Sequence, residues 1–526
     1  MTASAMVPAR RHCRVTVGRN PAFARVQRQA DACLQAGIAV TVILAPLEGP
    51  DTRTNAQIPD FHVRAPRGSS RQMKRDAPRV VSFRKAVPVH AALKELWRLK
   101  PGSLAPPARI HEIRQDAAFR RLLDTCRDAY PVADGRSLDK ALVEALQSLG
   151  IPAWLPTKLD HLALSPRDVA ERLHAALHAK EIRCLHLAPL DLAFDLPRFS
   201  FGPARVCRPK PEELAELLDL PRLKRSFGRD QEFGVTELSN FQWLIVEETG
   251  SVDRPPGYRS DPFLRLTGPD GTFRVEDHSP KARKRIRPHR SRFPKAFEDA
   301  LFLLLLFPWE DWTSDSVTGR GFSVPWVHSV DNDLFSPPRL PPPPDSLTWG
   351  EQLLTDESAV EHWVNLPVRP GTLDGRADCL TDLKDEDWSR VMKARESVLF
   401  ETPIVHFLVR GFDSDGIDEF LAHITTVEAA LGHPDDRRTG GSTKNLGKRI
   451  GNLLGDAGCG ERFKCLFDIR CEFVHGRGGM TDISSEDRRM ARSLARRVVC
   501  ALIRRTSTTG TGSREDFLKD LARADA

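Results

Sequence analysis

The sequence predicts a multidomain α+β protein: a mixed, strand-rich N-terminal and middle region followed by an all-α C-terminal helical bundle. Three observations predict it. The chain has 526 residues, enough for several domains that each bury a core. Short β-rich runs alternate with helical segments up to about residue 338, and helical periodicity alone follows. Between these regimes, Pro337 to Pro344 holds six prolines in eight positions. Proline fixes φ and lacks an N–H donor, so this stretch reads as an extended connector and a domain boundary. The expected divisions are an ill-defined α/β region at 1–100, a mixed strand-rich domain at 105–338, a linker at 337–386, a helical domain at 387–510 and a tail at 511–526.

The elements follow in order. Ala22 to Ala36 reads as a helix closed by Gly37, with a buried strand at Val40 to Leu44. Gly49 to Val87 is polar and basic. In the middle region, Ser165-Pro166-Arg167-Asp168 is a helix start, with a capping serine, proline at the first helical position and a carboxylate in the first turn. Strands are expected at Ile182 to Leu187, Phe241 to Val246 and Phe322 to Val327. A hairpin is expected at Phe263 to Val275, turning through Gly268-Pro269-Asp270-Gly271.

Composition narrows the function classes. Hydrophobic residues are 40% and charged residues 28%, the balance of a globular protein. A net charge of +7 is mild for this length, so any nucleic-acid role must come from local patches. The ten cysteines form no CxxC pair. Cys459, Cys465 and Cys471 stand six apart, a step that does not share a helix face, so no metal is expected. No phosphate loop is visible, and no cofactor is expected. Met1 to Pro21 is Arg-rich without an apolar centre, and the longest apolar run, Leu301 to Phe307, is too short to span a bilayer. A cytoplasmic protein with no membrane partner is the expectation. The basic loop Lys281 to Lys295 reads either as solvated surface or as a phosphate contact, without aromatic residues for base stacking.

Two C-terminal segments carry charges in apolar stripes. In Gly416 to Leu431, the positions Ile417, Phe420, Leu421, Ile424 and Leu431 trace one helical stripe, and Glu428 falls in it. In Glu461 to His475, Phe463, Leu466, Phe467 and Val474 trace another, and Arg470 falls in that. An isolated buried charge is costly, so the economical reading is that Glu428 and Arg470 face each other. If they are buried, removing one partner costs about 3–5 kcal/mol.

From Asp387 to Arg505 the chain resembles the Apea-like HEPN family. The resemblance rests on parts in order. There is a long first helix, a second carrying TTVEAAL (Thr425 to Leu431) and a third around Lys444 to Leu454. A fourth ends in DIRCEFVHG (Asp468 to Gly476), and a last helix follows Ser485. Family members carry an Arg followed a few residues later by a His near the end of the fourth helix, and Arg470 and His475 match. The stretches SFGPARVCRPKPEELAELL and VHSVDNDLFSPPRLPPPP look, more faintly, like regions that precede this module in related defence proteins.

The resemblance implies a metal-independent endoribonuclease that acts as a defence effector and is built as a homodimer. Arg470 and His475 are the implied catalytic residues, with Glu428, Cys471, Glu472 and Gly476 supporting them. RNA supplies its own nucleophile, the 2′-hydroxyl. Histidine suits the proton transfers, and arginine's fork suits the phosphate oxygens. His475 sits in the last turn before Gly476, where the helix dipole favours a cation; it reads equally as a capping residue. Arg470 and His475 are separated by about 140° around the helix axis and about 7.5 Å along it, so one helix cannot close both on a phosphate, and the family pairs two such helices. One departure is Cys471: catalytic members often carry Asn, Asp or His there, and a thiol is a weak hydrogen bonder. A non-catalytic HEPN module that binds RNA or protein through the same surface is therefore the alternative. In the last helix, Met490, Leu494, Val498 and Leu502 form the core stripe. Arg489, Arg492 and Arg496 form another face, either solvated or an RNA track.

Overall fold

The computed structural model describes residues 12–17, 39–44, 87–99, 106–130, 138–193, 196, 198–252, 256–259, 266–267, 273–274, 292–308, 321–355, 361–369, 383–437, 441–475, 483–506 and 512–523. Ala22 to Ala36, the Gly268–Gly271 turn, Gly476 and nearly all of the basic loop before Arg292 lie outside them. The chain divides into two units, Met1–Val80 with Thr348–Leu366, and Val81–Leu347 with Pro367–Ala526. In the first, strands His12–Val17 and Ala39–Leu44 pair in parallel, and Trp349–Thr355 pairs with Glu361–Pro367.

The second unit is mixed α+β and begins with helices α1 (Val87–Leu96), α2 (Pro106–Gln115), α3 (Ala117–Ala129), α4 (Leu138–Leu149) and α5 (Pro166–Leu177). Ser165 caps α5, its Oγ accepting from the Asp168 amide at 3.2 Å, as the local residues require. Leu93, Phe119, Leu142, Leu146 and Leu173 close a helical core that also takes Phe335.

A five-stranded antiparallel sheet follows: β1 (Glu181–Leu190), β2 (Phe199–Phe201), β3 (Ala204–Cys207), β4 (Gln242–Ser251) and β5 (His328–Asp331), in the order β2-β3-β4-β1-β5. Register sets the layers. Ala188 pairs with Leu244 and Ala204 with Val246, so their apolar side chains share one face. That face shares a core with Phe297, Leu301 and Leu304 of α8 (Lys295–Leu305), with α6 (Pro211–Leu217) and α7 (Leu220–Phe227) lying between β3 and β4 in the chain. At one end of the face His186 clamps three strands, its Nε2 at 3.0 Å from Glu248 Oε2 and its Nδ1 at 2.8 Å from Ser329 Oγ. The strand expected at Phe322 to Val327 is displaced to His328–Asp331. Only a single bridge, Ser323 to Asp191, forms earlier, and Pro325 has no N–H to offer a ladder. The expected hairpin retains short paired strands, Leu266–Thr267 with Phe273–Arg274.

After the proline stretch, which holds no strand and only a single short turn at Pro344–Ser346, come α9 (Asp385–Arg395), α10 (Ile404–Asp413), α11 (Gly416–Leu431), α12 (Ser442–Leu454), α13 (Ala457–His475), α14 (Ser485–Thr506) and α15 (Arg514–Arg523). Three expectations are corrected here. The expected linker at 337–386 holds two paired strands, Trp349–Thr355 and Glu361–Pro367. The long first helix is two helices, one ending at Arg395 and the next starting at Ile404, with a short turn at Val398–Phe400 between them and Pro403 immediately ahead of the second. The supposed tail contains α15, which is tied down by Arg449 Nε and Asn452 Nδ2 donating to the carbonyls of Leu518 and Leu521 at 3.1 and 2.7 Å.

The proline stretch does not separate two cores. One hydrophobic cluster runs from Ala188 of β1 to Leu521 of α15. Trp388 of α9 covers Gly202, which has φ +51 and where a Cβ would stand 2.4 Å from the indole. Phe322 meets Phe412 at 4.9 Å between ring centres, and Arg395 pairs with Asp299. The helical region and the sheet are therefore one packed body.

Candidate active site at the end of α13

Three helices build the site: α11, α13 and α14. Phe463 and Leu466 anchor α13 in the core, while its last turn leaves it. Phe473 and Val474 are 37% and 48% exposed, Glu472 and His475 are exposed, and Cys471 is half-buried. The last turn thus carries His475 at its tip, just after two apolar side chains that face solvent.

Arg470 and Glu428 come together as their stripes require. Arg470 Nη2 lies 3.9 Å from Glu428 Oε2, with side chains 28% and 31% exposed, and the guanidinium stands 5.3 Å from the centre of the Phe467 ring. The pair is at the rim, not in the core. The reason is at the helix end: Val474, assigned to the core stripe, is exposed, so the stripe of α13 runs out of core before Arg470.

The deeply buried charge is elsewhere on α11. Glu419 is 1% exposed and accepts from Arg492 Nε at 3.0 Å. Arg488 Nη1 stands 3.7 Å from its other oxygen, and His423 Nε2 lies 4.0 Å away. Glu419 and Glu428 are nine positions apart, about 180° around the helix, so one carboxylate serves α14 and the other α13. The His423 ring packs against Gly411 of α10, where a Cβ would come within 2.7 Å of it.

This arrangement corrects the basic face assigned to α14. Arg492 is buried against Glu419, and Arg496 is also buried; Arg489 alone of the three is exposed. The local signal is partial: Glu419, His423 and Thr426 at i, i+4 and i+7 make a polar stripe, and Arg488 and Arg492 repeat one turn apart, but only the packing of α14 on α11 pairs them. The two stripes face each other, Arg492 and Arg488 both meeting Glu419.

A second buried ion pair steadies the α11 C-terminus. Arg449 forks onto Asp436 at 2.5 and 3.0 Å and donates to the Leu431 carbonyl at 3.1 Å. Burial raises the Asp436 carboxyl, but the hydrogen bonds from Arg449, the His433 amide and Asn445 outweigh it and hold it below the usual aspartate range. Among the described residues no group of three His, Cys, Asp or Glu is arranged to hold a metal, and Cys459 instead donates to Asp456 at 3.0 Å. Among them, too, no helix is long and apolar enough to cross a membrane.

Comparison with protein-family models, with curated proteins and with solved structures finds no match for this chain.

Proposed function

We propose that the protein is a metal-independent endoribonuclease of the HEPN type, with Arg470 and His475 acting from two copies of α13 and serving as a triggered defence effector. The observation that carries the reading is the exposed last turn of α13. It holds a proton-transfer group at its tip with exposed Phe473 and Val474 just before it, and a half-buried guanidinium stands five positions back. A turn with two large apolar side chains in water favours a partner, and a second copy would supply the cation that one helix cannot bring round to its own histidine. In the reaction the RNA 2′-oxygen bonds to the adjacent phosphorus and the P–O5′ bond breaks. His475 takes the 2′ proton or returns one to the 5′-oxygen, and Arg470 holds the phosphate oxygens. The products are a 2′,3′-cyclic phosphate and a 5′-hydroxyl.

Cys471 beside Arg470, and the engagement of Arg470 by Glu428, favour a second reading, a non-catalytic module that binds RNA or protein through the same turn. One experiment decides. Purified full-length protein is incubated with labelled RNA in excess chelator, beside His475→Ala. The expected result is cleavage by the wild type that falls roughly 10²-fold or more in the variant, with sedimentation showing a dimer. No cleavage, or cleavage indifferent to His475, leaves the binding module.

A further inference from the structure

One face of α14 carries a pair of adjoining grooves. The first, about 500 Å³, lies between α13 and α14 and is bordered by Arg462, Arg489 and Arg497, with Met490 and Leu494 as its apolar floor and Glu486 as its one lining carboxylate. The second, about 360 Å³, lies between α14 and the end of α12, and is bordered by Arg497, Arg504 and Arg505. Arg497 belongs to both. Positions 486, 489, 493, 497, 501 and 504 fall at successive three- and four-residue steps, so they line one side of the helix. At 1.5 Å per residue, the side from 486 to 504 is about 27 Å long.

Five guanidinium groups and no lysine border this surface. Arg462, Arg489, Arg504 and Arg505 are exposed, and Arg489 makes no ion pair among the described residues. Arg497 is 42% exposed and meets Asp456 at 3.7 Å, itself 43% exposed, a solvent-screened pair that a stronger anion can displace. An isolated arginine on a helix is ordinary surface. Five along one recessed track form a repeated fork geometry, which fits tetrahedral phosphates spaced along a chain. No Phe, Tyr or Trp lines either groove, so nothing there stacks a base or reads its edge.

We propose that this face of α14 binds the phosphodiester backbone of a single-stranded nucleic acid, without regard to base sequence. A duplex fits less well, because modules that read duplex RNA span about 16 base pairs, more than this face offers. That the chain is RNA rests on the ribonuclease reading above; that it is a phosphodiester chain does not. None of the bordering residues belongs to the Arg470–His475 set, so the two readings fail separately.

The test measures binding of full-length protein carrying His475→Ala, so that the ligand stays intact, over a range of salt. The probes are a labelled single-stranded oligoribonucleotide, the matching deoxyoligonucleotide and polyglutamate. Each phosphate contact contributes about −0.7 to the slope of log K against log salt for single strands. Adding Arg489→Ala, Arg497→Ala and Arg504→Ala together should flatten the slope by about 2 and weaken binding roughly tenfold or more, with the melting temperature unchanged. Equal binding of RNA and DNA, or preference for RNA, supports the groove. Unchanged affinity and slope in the triple variant overturns it, as does binding of polyglutamate without either oligonucleotide. Cleavage is then read with His475 restored. Loss of binding in the triple variant, beside a wild type that does not cut, keeps the groove and removes the nuclease.

Discussion

Two carboxylates on one helix show how burial sets the worth of a charge. Glu428 meets Arg470 at 3.9 Å with both side chains over a quarter exposed, so this pair belongs with rim interactions of about 1 kcal/mol or less. Glu419 is 1% exposed and holds Arg492 at 4%, where stranding one partner costs about 3–5 kcal/mol. In urea melts, Glu419→Ala should therefore lose several times the stability lost by Glu428→Ala. Equal losses would place the two pairs in the same environment and contradict the burial. The Asp436–Arg449 pair adds a pH dependence. The folded carboxyl lies below its unfolded value, near the usual aspartate pKa of about 3.9. Its contribution is then complete above that value and lost as pH falls through the folded one. The stability gap between wild type and Asp436→Asn should hold from neutral pH down to about 4 and close below it; a gap constant to lower pH would mean that Asp436 is not the titrating group.

At the scale of elements, α12 and α13 approach closely because glycine lines their contact. A Cβ on Gly460 would stand 2.2 Å from the Gly447 carbonyl oxygen, and one on Gly451 3.2 Å from the Ala457 Cα. The obstruction is backbone, so the helices must move apart to admit a methyl group. Gly460→Ala should lower stability by about 1–3 kcal/mol through overpacking, despite alanine's better helix propensity; a more stable variant in thermal melts would refute the contact. Of the two, α13 was legible from its periodic stripe of Phe463, Leu466 and Phe467, a local signal, whereas α12 was read only through the family resemblance. Glu428 and Arg470 were legible as a pair because each interrupts a stripe. What escaped depends on contacts between segments. The stripe Glu419, His423 and Thr426 has the look of a solvated face, and only α14 lying across it makes it interior. Arg492 reads as solvated or as part of an RNA track for the same reason, and the strand at His328–Asp331 is placed by pairing with β1, not by its own residues.

On the scale of the whole molecule, the proline stretch has the composition of a boundary, yet the cores on either side of it are joined. Composition reports that a segment is extended; it does not report whether its flanks touch. Residues 383–526 would, if excised, expose the Trp388 face that covers Gly202, the Phe412 ring that meets Phe322 and the Arg395 that pairs with Asp299. Cys500 Sγ would lose the Leu306 carbonyl it reaches at 3.7 Å. Uncovering even two or three aromatic or aliphatic side chains forfeits about 1.5–3 kcal/mol each, a large share of the margin of a domain this size. The fragment is therefore expected to keep its far-ultraviolet helical signal while losing near-ultraviolet dichroism and binding a hydrophobic dye, the signature of secondary structure without fixed packing. In the full chain, probes in the sheet and in the helices, such as Trp243 and Trp388, should unfold together in one cooperative transition. A fragment that melts sharply at the temperature of the full chain, or two separated transitions for the two tryptophans, would show that the helices fold as a domain of their own and that the shared core contributes little.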